Sequence, residues 1–393
     1  MDYLRDALLE IDSAGVISAV GPAPAGCTVP ETEPGAVWLP GFVDTHVHFP
    51  QTRIVGRSSG ELLTWLERTV FVEEARFAET AYAADVAAEM CRRFVAAGTT
   101  TASIYGSSHP VATATLFAAL DRVGLRAQVG MTLMDRNAPA SLCLDADAAL
   151  AACEALIARW HGHDADRLRF CITPRFALSC TPRLLDGAGE LADRHQLPIQ
   201  THLSENHAEI AAVTRAFPDA AHYLDVYAQH GLCTARSLFG HCIHLEDAEW
   251  DLMQGCGAAI AHCPDSNFFL GSGVMPLRRA LNRSVRVGLG SDVGAGRTFS
   301  LRRVAASAYD ASLLKGERVG PAELVWLATA GGAAAMGLAD RIGHLEVGYD
   351  ADVIAVSVPP EACEDEAALL DALLFSHATE PVMKMLVRGR RVV

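Results

Sequence analysis

Short apolar runs alternate with amphipathic stretches from position 40 onward. The runs have the length and composition of buried strands, and the stretches between them have the pattern of surface helices. Eight such units follow one another, which is typical of a parallel sheet built from strand-helix repeats. The predicted strands are 41–48, 99–105, 126–133, 168–173, 198–202, 237–241, 258–262 and 285–292. Predicted helices include 82–96, 146–160, 182–195 and 301–314.

Eight parallel units in one chain predict an α/β fold, a (β/α)8 TIM-like barrel over residues 40–340. The two ends of the chain do not follow this pattern. Residues 6–21, 38–39 and 342–393 contain short strand-like runs around turns. We therefore expect segments 1–39 and 341–393 to join in a small β-sandwich domain.

Composition narrows the class of protein. The chain has 393 residues, half of them hydrophobic, and a formal net charge of -15. Because nucleic-acid surfaces need clustered cations, this balance argues against a nucleic-acid partner. The 11 cysteines form no Cys-x-x-Cys pair, and neither a signal peptide nor a bilayer-length apolar window is visible. We expect a cytoplasmic protein with reduced thiols and no membrane partner.

Two histidines end the first predicted strand. Alternate side chains of a strand point to the same face, so His46 and His48 project together. Neutral imidazole is a preferred ligand of zinc and of related transition metals. The pair alone is equally typical of a solvated strand end or of a hydrogen-bonded core pair. Further ligands from other strands must decide between these readings.

Other predicted strands also end in polar side chains that could complete the site. In parallel barrels, the reactive groups lie at the C-terminal strand ends and in the loops that follow. The fifth strand ends at His202, with Glu205 three residues later, and the sixth ends at His241. Each residue alone has a structural alternative, such as a core histidine or a helix-capping aspartate. We predict that four strand-end residues bind one metal ion and leave room for water: His46, His48, His202 and Asp292.

These strand-end residues together resemble the amidohydrolase superfamily, in the branch with one metal that deaminates purines and related rings. Members with two metals bridge them by a carboxylated lysine on the fourth strand. This chain has only Lys315 and Lys384, and neither lies near that strand. The resemblance therefore implies one Zn²⁺ per chain, with Fe²⁺ or Mn²⁺ as alternatives.

Further segments are similar to the guanine-deaminating members of that branch. They are residues 49–51, 62–66, 98–102, 134–139, 173–177 and 202–206. The resemblance implies hydrolytic deamination of guanine to xanthine and ammonia by a metal-bound hydroxide, and a homodimer. It assigns catalytic roles to Glu205, His241 and Asp292. It assigns purine contacts to Gln51, Arg175, Phe176 and Trp65.

Several alternatives stay open from the sequence. Arg175 could form a buried salt bridge, Gln51 could lie in a solvated loop, and Phe176 could serve only the core. Asp265 stands where relatives generally have a neutral residue. That difference motivates the alternative that another aminated heterocycle, such as oxidised guanine, a pterin or a triazine, is the substrate. A purine-binding barrel without turnover is a further alternative.

The sequence also supports predictions for three other histidines and for the start of the chain. His109 is a candidate near the site, whereas His244 and His262 are expected to be structural. Compared with the superfamily, about one strand of the small domain is missing before the first residues, so the start site could be incomplete.

Overall fold

Eight parallel strands form the centre of the structure, a computed structural model that describes residues 3–24, 26–27, 36–363, 365–376 and 382–392. The eight strands are Phe42–His48, Thr99–Tyr105, Arg126–Gly130, Leu168–Phe170, Ile199–Leu203, Ser237–His241, Ala259–His262 and Arg286–Leu289. Neighbouring strands pair in parallel in two groups of four. Short strands at Thr132–Leu133 and Thr173–Pro174 extend the third and fourth.

Backbone contacts close these two groups into one barrel. A parallel bridge between Ile172 and Ile199 joins the fourth strand to the fifth. At the other seam, the Asp292 N–H donates to the His46 carbonyl over 2.8 Å, and the His48 N–H donates to the Val293 carbonyl over 3.1 Å. The predicted (β/α)8 barrel is therefore confirmed.

Three predicted strands are too long. The third breaks after Gly130, where a Cβ atom would lie 1.8 Å from Thr173 Oγ1 of the neighbouring strand. The fourth breaks after Phe170. The eighth ends at Leu289, because the following residues curve into the barrel mouth and Asp292 takes a positive φ of 47°.

Helices surround the barrel and cover its apolar outer face. The longer ones are Thr80–Ala97, Pro110–Val123, Ala146–Trp160, Pro182–Arg194, His207–Ala216, Asp247–Cys256, Leu301–Leu314 and Pro321–Ala328. Shorter ones are Leu62–Trp65, Phe71–Glu74, His163–Asp166, Tyr223–Gln229, Pro264–Phe269, Leu277–Asn282, Ala330–Ala335 and Glu366–Asp371. Within the described ranges, none of these helices has both the length and the hydrophobicity needed to span a bilayer.

The two ends of the chain share a small sheet beside the barrel. Ala36–Pro40 pairs antiparallel with Val353–Ser357, which pairs in turn with Val382–Val387 and then Arg390–Arg391. A separate hairpin of Ala7–Ile11 and Ile17–Pro22 precedes it. The ends therefore join in a β domain as expected. Its boundaries at 39/40 and 340/341 stay a prediction.

Candidate metal centre and substrate pocket

The four predicted ligand side chains meet at one point in the barrel mouth. His48 Nε2 lies 3.2 Å from His46 Nε2 and 3.1 Å from His202 Nε2. Asp292 Oδ1 lies 3.3 Å from His46 Nε2 and 3.2 Å from His48 Nε2. Atoms bound about 2.0–2.1 Å from a tetrahedral zinc ion are roughly 3.3 Å apart. The donor set therefore fits a single metal ion.

Glycines make room for this cluster. A Cβ atom on Gly240 would lie 2.9 Å from His46 Cε1, and one on Gly290 would lie 2.6 Å from His46 Cβ. Larger residues at either place would push the imidazole out of the cluster. The apolar-glycine run before Asp292 thus shapes the site as well as delivering a ligand.

The ligand side chains are held in the forms that bind metal. His202 Nδ1 hydrogen-bonds the Arg175 carbonyl, which leaves Nε2 unprotonated toward the cluster. Burial lowers the pKa of His46 to about 4 and that of His202 well below its ordinary value. For Asp292, burial opposes ionisation, but the imidazoles, His46 first, hold its pKa well below the usual range. Neutral imidazoles and an ionised carboxylate are the forms that bind a cation.

Glu205 and His241 form a second pair beside the ligands. His241 Nε2 lies 3.4 Å from Glu205 Oε2 and 3.7 Å from Asp292 Oδ2, and its Nδ1 contacts Asn267 Oδ1 at 2.9 Å. Burial raises the pKa of Glu205 to about 7. Burial alone disfavours charged His241, but the carboxylates of Glu205 and Asp292 outweigh it and raise its pKa. This pair can hold and transfer a proton near neutral pH.

A narrow pocket opens onto the cluster. Its lining residues are His48, Gln51, Leu62, Trp65, Leu66, Arg175, Phe176, His202, Glu205, Glu209, His241, Leu270, Asp292 and Ala295. The structure thus brings every predicted site residue to this pocket except His46, which lies buried beneath it. Apolar side chains, including Trp65 and Phe176, make its walls, and Trp65 Nε1 donates to the Arg57 carbonyl over 2.7 Å. Such walls suit a flat ring.

Gln51 and Arg175 lie in the pocket lining and also contact the same buried carboxylate. Arg175 Nη1 donates to Glu74 Oε2 over 2.7 Å, so Arg175 does form the buried salt bridge that was one alternative for it. Gln51 is only 1% exposed, so the alternative of a solvated loop is wrong. Its Nε2 donates to Glu74 Oε1 over 3.2 Å, and its Oε1 accepts from the Gly294 N–H over 3.1 Å.

Several buried residues that hold the site were not predicted from the sequence. Asp44 Oδ1 accepts from the N–H groups of His46 and Ser291, over 3.2 and 2.9 Å, and so joins the first and eighth strands. Asp44 has the parity of the two histidines, a signal that could have found it.

Two further residues position Glu205 and were also missed. Ser272 Oγ donates to Glu205 Oε1 over 3.0 Å, and Glu209 Oε2 accepts from the Glu205 N–H over 3.0 Å. Glu209 also completes a capping box with Asn206. The pattern of Asn206 followed three residues later by Glu209 was a visible signal for that cap, whereas Ser272 had none.

Asp265 does not line the pocket. Its carboxylate accepts from Arg297 Nη2 and from the Arg297 N–H, both over 2.6 Å, and from Ser307 Oγ over 3.3 Å. The ion pair anchors the short helix Pro264–Phe269, which also contains Asn267. Arg297 therefore balances the charge of Asp265, and this ion pair lies outside the pocket lining.

The remaining histidines lie outside the pocket lining. His244 Nε2 contacts the Ser272 carbonyl at 2.8 Å, as a structural residue would. His262 is buried, and neither of its ring nitrogens has a hydrogen-bond partner within the described residues. The same is true of His109 Nε2, and His109 is not among the described residues that line the pocket.

A parallel barrel that gathers four imidazoles and two carboxylates at its strand ends, with a donor set that fits one metal ion, has the architecture of a metal-dependent barrel hydrolase. The chain belongs to the amidohydrolase family, whose model matches residues 37–392. It is similar to a guanine deaminase of Escherichia coli (strain K12), with 39% identity over 354 residues that cover 90% of this chain and 79% of that protein. A probable guanine deaminase of Deinococcus radiodurans is 39% identical over 94% of this chain and 86% of its own length.

A solved structure extends this similarity to the whole fold. The guanine deaminase from C. acetobutylicum, with bound guanine in the active site, superposes with a TM-score of 0.94 at 32% identity. The match covers 99% of this chain and 95% of that chain.

Proposed function

We propose that this chain is a hydrolase that deaminates guanine to xanthine and ammonia. One observation carries the proposal: Glu205 and three of the metal-ligand residues line the same narrow pocket as Gln51 and Arg175. Reactive groups thus share one pocket with groups that can hydrogen-bond a purine edge. The similarity to guanine deaminases over 90% of the chain supports the same substrate.

Four residues would hold the metal ion: His46, His48, His202 and Asp292. When bound, the ion acts as a Lewis acid that lowers the pKa of water and so provides hydroxide at neutral pH. We propose Zn²⁺, and the same donor set accepts Fe²⁺ or Mn²⁺.

The pocket residues orient the ring. The Arg175 guanidinium and the Gln51 amide hydrogen-bond the carbonyl and ring nitrogens of guanine, while Phe176 and Trp65 pack against the ring and exclude water. These contacts direct the amino-bearing carbon toward Glu205.

Glu205, His241 and Asp292 move the protons. Glu205 accepts a proton from the attacking water and delivers it to the ring nitrogen beside the amino-bearing carbon. His241 stabilises the negative charge that develops on the attacking oxygen. Asp292 accepts the second water proton and passes it to the departing amine. A carbon–oxygen bond forms, the carbon–nitrogen bond breaks, and ammonia leaves.

Other aminated rings are the alternative substrates, and Asp265 is the residue that motivates them. Because that carboxylate pairs with Arg297 outside the pocket lining, guanine is favoured. A cytoplasmic location and a homodimer stay predictions.

Ammonia release from a panel of rings tests the substrate. We expect metal-loaded protein to give its highest kcat/KM with guanine, ahead of 8-oxoguanine, a pterin and an aminotriazine. Chelator-treated protein is the control for background hydrolysis. A pterin or triazine at the top of the ranking, with guanine far below, would contradict the proposed substrate.

The pH dependence should follow Glu205, whose pKa burial raises to about 7. The carboxylate must be ionised to accept a proton, so kcat/KM is expected to fall as the pH drops below 7, by about tenfold per pH unit. A pH–rate profile from 5.5 to 8.5, with metal content measured at each pH, checks this. A flat profile in fully metallated protein would rule out Glu205 as the base.

A further inference from the structure

We propose that Glu74 is a positioning residue that determines which purine edge the pocket accepts. This inference rests on the proposed function. Glu74 is 3% exposed and lies in the helix Phe71–Glu74, after the first barrel strand. Its two carboxylate oxygens contact different partners: Oε2 accepts from Arg175, and Oε1 accepts from Gln51. Among the described residues that line the pocket, Glu74 does not appear, so it acts through these two side chains.

Glu74 determines the orientation of the Gln51 amide. An ionised carboxylate only accepts hydrogen bonds, so the amide nitrogen of Gln51 must face it. On the other side, the Gly294 N–H requires the amide oxygen. These two contacts exclude the flipped amide. One N–H of Gln51 and one lone pair on its oxygen remain available to a ligand.

Glu74 also holds Arg175. The guanidinium lies over the Phe71 ring, 5.4 Å from the ring centre, and donates from Nη1 to Glu74 over 2.7 Å. Every nitrogen of a guanidinium is a donor, so the N–H groups left for a ligand can meet only acceptors. A buried cation without a partner is also costly, and the carboxylate balances its charge.

The two oriented side chains therefore present mainly donors to the ring. The matching group is a carbonyl oxygen that can accept from more than one donor, as the carbonyl oxygen of guanine can. 2-Aminopurine has the same reactive amino group but lacks that carbonyl oxygen. A buried donor placed for that oxygen would be left unpaired, which is a strong source of discrimination. The preference for guanine over 2-aminopurine should thus depend on Glu74.

Equilibrium binding tests this dependence without turnover. In the Glu205→Gln background, the Kd of guanine and of 2-aminopurine is measured with and without Glu74→Gln. We expect the Kd of 2-aminopurine divided by the Kd of guanine to fall by about 10- to 100-fold. Guanine should bind more weakly, because the neutral amide no longer fixes Gln51 or balances the charge of Arg175. Metal content should stay the same.

Glu73→Gln is the matched control. Glu73 is the adjacent carboxylate, also buried, but within the described residues it accepts hydrogen bonds from Arg76 and Tyr82 and from no residue of the pocket lining. The Glu73→Gln variant should lose as much stability as the Glu74→Gln variant but keep the Kd ratio of the protein with Glu74. If Glu74→Gln does not fold, Glu74→Asp replaces it, since the shorter side chain cannot reach both partners and should also lower the ratio.

The outcomes separate this inference from the proposed function. An unchanged Kd ratio in the folded Glu74 variant, or an equal fall in the Glu73 control, overturns the role of Glu74. Turnover of guanine by the unsubstituted, metal-loaded protein is a separate measurement, and its absence overturns the proposed function instead.

Discussion

Glu205→Gln is expected to lower kcat for guanine by about 10²- to 10⁴-fold while the protein keeps its metal ion. The amide has nearly the size of the carboxylate but cannot accept a proton from water or deliver it to the ring. Glu205 is not among the four clustered ligands, so metal binding should persist. Steady-state kinetics and elemental analysis of the same sample check both parts of the prediction.

The control for this variant is Glu190→Gln, purified in the same way. Glu190 is exposed on the helix Pro182–Arg194 and is not a residue of the pocket lining. It should retain the unsubstituted rate. A Glu205→Gln protein with a near-normal rate would show that another group carries the proton.

Replacing a metal ligand should remove the metal and the activity together. His202→Ala deletes an imidazole whose Nε2 lies 3.1 Å from His48 Nε2 and whose Nδ1 hydrogen-bonds the Arg175 carbonyl. Loss of an outer-shell partner alone typically costs 10- to 100-fold in metal affinity or activity, so losing this ligand should cost at least about 100-fold. Elemental analysis after dialysis, together with guanine turnover, measures the effect.

His195→Ala is the matched histidine control. His195 lies at the end of a surface helix, where its Nε2 contacts Glu154 at 3.0 Å. It should leave metal content and activity unchanged, and circular dichroism should confirm that both variants are folded. One full equivalent of metal and normal turnover in His202→Ala would contradict the proposed ligand set.

The alternation of strand and helix patterns was enough to predict the barrel. The helices Ala146–Trp160 and Leu301–Leu314 have the predicted bounds, because their apolar faces pack against the barrel along their whole length. Strand ends were harder to predict. The break after Gly130 follows from its close approach to Thr173, a residue 43 positions later that becomes a neighbour only in the folded barrel.

The site residues at strand ends could be recognised from the sequence, whereas the residues that position them could not. The position of His46, His48 and His202 follows from the rule that parallel strands end at one edge of the barrel. Glu74 lies in a short helix without a recognisable motif, and its partner Arg175 is 101 residues away. Only the packing of the loop after the first strand against the fourth brings these charges together.

Deamination of guanine by this chain is tested most directly by measuring both products from one metal-loaded sample. We predict that guanine is converted to equal amounts of xanthine and ammonia, that a chelator stops the conversion, and that added Zn²⁺ restores it. A sample that holds one equivalent of metal and releases no ammonia from guanine would contradict the proposed function.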